Sequence, residues 1–125
     1  MAFPATFNIN YYRGDTYEFK IYPKDASGAA FPLTGYDPVE GVKFTISTDR
    51  GPDGIINQIE AYAVISADLS HIVCAILPEN GVDMNLNVTY VYDIELSKAG
   101  TSYDLVTTIL TGTISVTEQV TGAVE

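Results

Sequence analysis

Tryptophan is absent from this chain, and histidine and cysteine occur once each. A lone Cys74 makes no internal disulfide, so no disulfide framework holds the fold. Positive charge is scarce. Six Lys and Arg stand against sixteen Asp and Glu, for a formal net charge of −10. Nucleic-acid binders need a basic footprint to neutralise phosphates, so that partner class is not expected. An anionic membrane surface is disfavoured for the same reason. No run approaches the ~20 apolar residues of a membrane span. The opening MAFPATFNIN lacks a basic stretch and a long apolar run, so no secretory signal is expected.

What is present suits one packed domain. The 125 residues are 46% hydrophobic, and nine are tyrosines. The dominant period is two. Tyr17, Phe19 and Ile21 alternate with polar residues in 16–23, as do Val42, Phe44 and Ile46 in 41–48. Tyr90, Tyr92, Ile94 and Leu96 share one face of 89–98. This alternation marks strands with one face in the core. Segments 60–67 and 71–77 are more apolar and read as strands near the middle of a sheet. Segment 103–117 is rich in Thr, Val and Ile, with Gly112 expected to mark a bulge or bend. The KAGTS turn at 98–102 predicts a hairpin between 89–98 and 103–111. Pro78 could open one or two helical turns within 78–86.

Seven or eight short strands with at most one short helix predict an all-β fold, an immunoglobulin-like antiparallel β-sandwich. Residues 1–125 form a single domain, with 1–10 as an N-terminal arm and 121–125 as a loose tail. Tyr11, Tyr12, Tyr22 and Tyr36 are candidates for outward faces or loops, where tyrosine serves interfaces well, but for any one of them the favoured reading is that it caps a sheet edge or fills the core.

Sites of chemistry are sparse. His71 opens a strand after Ser70 and has no partners in a triad order, so it reads as a strand-end residue rather than a general base. Cys74, between Val73 and Ala75 in an acidic chain, reads as buried and unreactive. The stretch DRGPDGIINQIE at 49–60 has the Asp, Asp-Gly and Glu spacing of a calcium loop, with Asp49, Asp53 and Glu60 as ligands. It lacks the ligand at position 3, where Gly51 stands, and its flanks are strand-like. A Gly/Pro-rich connection is therefore the favoured reading, and no metal, cofactor or catalytic residue is expected. Arg13-Gly14-Asp15 spells an integrin-recognition tripeptide. Here it reads as a strand start in which Gly14 relaxes the backbone and Asp15 begins the ladder.

A series of short motifs runs through most of the chain. Arg13-Gly14-Asp15-Thr16 opens the first long strand, Asp25-Ala26-Ser27-Gly28 turns it, and Phe31-Pro32-Leu33-Thr34-Gly35 leads onward. Tyr90–Leu96 precedes a Gly turn, and Thr108–Thr117 and Val120-Thr121 close the series. Their order resembles the immunoglobulin-like N-terminal domains of baseplate and tail proteins of tailed bacteriophages. The resemblance covers positions 10–50 and 88–121, and 51–87 matches nothing in it. It implies a non-enzymatic structural protein of the virion, made in the host cytoplasm and placed in the tail or baseplate. Its implied partners are other virion proteins and further copies of itself. Two rival roles are a capsid decoration protein on the head surface and a carbohydrate or receptor binder at a fibre tip. The second lacks the tryptophan platform that sugar sites often use.

Overall fold

The computed structural model describes residues 5–50, 58–86 and 88–117. Its elements are β1 (Ala5–Thr6), β2 (Ile9–Tyr12), β3 (Tyr17–Ile21), β4 (Val42–Ser47), β5 (Ile59–Ile65), β6 (Ile72–Ile76), α1 (Pro78–Gly81), β7 (Thr89–Lys98) and β8 (Leu105–Thr117). The fold is all-β with one short helix. Pro78 at the first helical position presets the turn. The Asn80 side chain accepts the Leu77 N–H at 2.8 Å. The helix ends at Gly81, short of the 78–86 window allowed by the sequence.

The strands form one sheet in the order β1-β8-β7-β4-β5-β6-β3, with β2 also beside β8. Strand β5 belongs to two ladders. Ile59–Ala61 pair with β4, and Tyr62–Ile65 pair with β6. The sheet folds over at this strand. In a flat sheet β1 and β3 would lie about 29 Å apart, six strand spacings. Yet the ring of Phe7, between β1 and β2, sits 5.6 Å from that of Phe19 on β3. Phe19 also meets Phe44 edge-on at 5.8 Å, and Phe44 meets Tyr92 at 5.4 Å. Phe19, Phe44 and Tyr92 line the concave side together with the buried Ile9, Tyr11, Ile46, Cys74, Ile94 and Ile114, and Phe7 packs at its rim, partly exposed.

The period-two readings hold on β4 and β7, where Val42, Phe44 and Ile46, and Tyr90, Tyr92, Ile94 and Leu96, are buried. Strands β7 and β8 form the expected hairpin. Three expectations change. The sheet is mixed rather than antiparallel, because β1 and β2 run parallel to β8. From Ala5 onward, the segment expected to be an arm is paired with β8, since Ile9 and Tyr11 need the core to bury them. Of the four tyrosines weighed, Tyr11 and Tyr36 fill the core, whereas Tyr12 and Tyr22 are more than half exposed. Asp15 lies in the turn, and the β3 ladder begins at Tyr17. The tail 121–125 lies outside the described residues.

Gly112 does not mark the irregularity of β8. The ladder shifts between Ile94 and Glu95, which face Leu110 and Thr108, so Ile109 is the extra residue. Gly112 instead permits a close approach. Ala5 faces Leu110 and Ile9 faces Ile114 at one offset, which sets Phe7 opposite Gly112. A Cβ on Gly112 would fall 2.1 Å from the Phe7 carbonyl oxygen. The hydroxyl of Tyr92, the partner of Gly112 on the other side, donates to that same oxygen. Beside it the Asn8 side-chain oxygen takes the Thr113 N–H at 3.1 Å, replacing the ladder bond lost between β1 and β2.

Candidate functional site

His71 closes the turn from β5 to β6, and its neighbours are wired by one carboxylate. Asp68 Oδ1 accepts from Ser66 Oγ and Ser70 Oγ, each at 2.7 Å, and from the Ser70 N–H at 3.1 Å. Leu69, with φ of 61°, lets the chain turn back above it. The hydrogen bonds from Ser70 and Ser66, with a smaller contribution from the charge of His71, hold the Asp68 carboxyl down at about 2. Ser70 Oγ lies 2.7 Å from His71 Nδ1. The serine has one proton, and it goes to Asp68, so His71 is the donor to Ser70. A nucleophilic relay needs the imidazole between serine and acid. Here the serine stands between them, and the group acts as a turn lock. The His71 ring packs on Tyr22 at 5.2 Å.

Cys74 is fully buried on β6. Burial pushes its thiol up to about 12, so it carries no thiolate near neutral pH. The Arg13-Gly14-Asp15 tripeptide is the tight turn from β2 to β3. Gly14 has φ of 94°, the Asp15 N–H reaches the Tyr12 carbonyl at 3.0 Å, and the Tyr11 hydroxyl donates to the Asp15 carbonyl at 2.7 Å. A buried tyrosine therefore fixes the turn from beneath.

Of the calcium-loop residues, Asp53 lies outside the described residues. Asp49 accepts from the Thr48 hydroxyl. Glu60 belongs to β5, opposite Thr45, with its carboxylate 3.9 Å from Lys43 Nζ. The two described carboxylates are thus held by separate neighbours. Among the described residues no three His, Cys, Asp or Glu side chains gather as a metal site. Arg50, to which no sequence motif assigns a role, is the most connected cation among the described residues. Its guanidinium meets Asp93 at 2.7 Å, the Thr111 hydroxyl, and the carbonyls of Tyr92 and Gly112, so it clasps β7 to β8. Its partners lie 42 to 62 residues away in the chain, beyond the reach of any local pattern.

The remaining surface offers edges and apolar side chains. Where β5 leaves β4, a cleft of about 490 Å³ opens, lined by Val39, Val42, Lys43, Glu60, Tyr62 and Val64 among others. Tyr103, Leu105 and Val106 are exposed around the base of the β7–β8 hairpin loop. Strand β3 ends the sheet order on one side, and on the other β1 and β2 cover β8 at Leu110–Thr111 and Ile114–Thr117. This arrangement suits holding another polypeptide against backbone edges and half-exposed aromatics. No protein-family model and no curated protein matches the chain.

Proposed function

We propose that the chain is a non-enzymatic structural module of a tailed-phage virion, with an immunoglobulin-like sandwich that assembles in the tail or baseplate through strand edges and loops. The observation that carries this reading is the open edge of β3, which among the described residues pairs with β6 alone, together with the exposed apolar side chains. The strand arrangement supports the finer fold assignment. The first strands run parallel beside the last, the last two form a hairpin, and β5 passes between two ladders that face each other. The ordered motifs of 10–50 and 88–121 supply the phage connection, since a sandwich by itself hosts many functions.

The test is immunolabelling of purified particles made from the genome that encodes the chain. Label on tails or baseplates supports the proposal. Label on heads replaces it with capsid decoration. Absence from particles overturns the virion role altogether.

A further inference from the structure

Strand β3 is an edge whose sequence is complementary to itself. Its residues read Tyr17-Glu18-Phe19-Lys20-Ile21, and all five pair with β6 on one side only. Among the described residues no backbone hydrogen bond outside that ladder involves 17–21. Alternate N–H and C=O groups of an edge strand point away from the sheet and are open to pairing. Glu18 and Lys20 are exposed on the outward face, and among the described residues neither forms an ion pair. Their neighbours across the ladder are Ala75 and Val73, which offer no charge. Tyr17, Phe19 and Ile21 face the core but are only partly buried.

We propose that β3 pairs antiparallel with β3 of a second copy of this chain, about a two-fold axis at Phe19. In that register Phe19 faces Phe19 of the second copy, Tyr17 faces Ile21, and each Glu18 faces a Lys20. Opposite charges directly across a ladder stabilise it, and like charges destabilise it. A protective edge carries charge that repels its own kind, whereas one acid and one base placed symmetrically about a centre attract their own kind. The two-fold operation makes the contact isologous, so it closes at a dimer. Five residues a side bury far less than the roughly 800 Å² per partner of a standard interface, so the dimer is weak alone and needs high local concentration. The inference supplies a partner for one of the edges in the assembly reading above, but needs no virion.

The experiment is sedimentation equilibrium of the purified chain across a concentration series, with circular dichroism as a folding control. The expected result is a mass rising from 13.5 kDa toward twice that value as concentration increases. Glu18→Lys and Lys20→Glu each place like charges across the axis and weaken the dimer about ten-fold. The double variant Glu18→Lys with Lys20→Glu restores opposite pairs and returns association to near the parent level. A chain that stays monomeric at millimolar concentration overturns the proposal. So does a dimer indifferent to the single changes, or a folded double variant that fails to recover. None of these results touches particle labelling, so the two proposals fail separately.

Discussion

The Tyr92 hydroxyl donates to the Phe7 carbonyl across the bare backbone of Gly112. This one bond ties the start of the chain to the concave face of the hairpin that ends the described structure. Burial pushes the phenol well above its usual 10.0, so it remains protonated and a donor throughout ordinary pH. Tyr92→Phe removes the donor and leaves the carbonyl short of a partner, at a cost of about 1–3 kcal/mol. Gly112→Ala drives a methyl group onto the same oxygen and costs about 1–3 kcal/mol through overpacking. Urea denaturation of the two variants reads both effects.

Truncation separates β1 from β2. Removing residues 1–8 deletes β1 and the Phe7 contact but keeps Ile9 and Tyr11 in place, and the chain should still fold with reduced stability. Removing residues 1–12 strips both buried side chains and exposes the edge of β8. That variant should lose cooperative unfolding. Thermal melts followed by circular dichroism distinguish the two.

Asp68 gives the β5–β6 turn an acid sensitivity. Its carboxyl is lowered from 3.8 to about 2, so its contribution is present above pH 4 and is lost as pH falls through about 2. Asp68→Asn should flatten the fall in stability between those values while leaving a lower plateau at pH 7. Denaturant titrations at stepped pH give the slope directly.

Cys74 reports on unfolding. With its thiol buried and pushed up to about 12, an aromatic disulfide reagent at pH 8 should label it only when the core opens. The labelling rate should rise with urea in step with unfolding. Rapid labelling of the folded protein would contradict the placement of β6.

Arg50 contributes through carbonyls and a hydroxyl as well as through Asp93. Its side chain and that of Asp93 are substantially exposed, at 49% and 39%, so the ion pair itself is worth little. Arg50→Lys, which keeps the charge but loses the fork, should cost about 0.5–1 kcal/mol. The loss should persist in 0.5 M salt, measured by urea denaturation, because most of the contacts do not depend on a second charge.

Strands with clean alternation are legible from the amino-acid order alone. Thr89–Lys98 matches the expected segment at both ends, because the Tyr90, Tyr92, Ile94 and Leu96 face is unambiguous. The N-terminal strands are not legible in this way. The reason lies in Gly112, Asn8 and Tyr92, whose partners are set by pairing between the two ends of the chain rather than by neighbours in sequence. Tyr11 alternates with Tyr12 and follows Ile9, so the inward face of β2 exists as a pattern, but two adjacent tyrosines blur it. The bulge at Ile109 is hidden because Ile109 and Leu110 look like ordinary strand residues, while Gly112 points to the wrong position. The turn chemistry of Asp68 and the reach of Arg50 are contacts rather than motifs, and only the folded chain brings them together.

The parallel seating of β1 and β2 on β8 has a consequence for how the molecule is made. A ribosome releases residues 5–12 long before 105–117, so the first strands emerge with no edge to join. Ile9 and Tyr11 lack the strand they pair with until β8 has been made. Pairings between distant parts of a chain are slow to close. Closing this part of the sheet therefore requires capture of the first strands by one made much later. Until then β8's edge stands open to other chains, and crowded synthesis favours exchange of the first strands between neighbouring molecules.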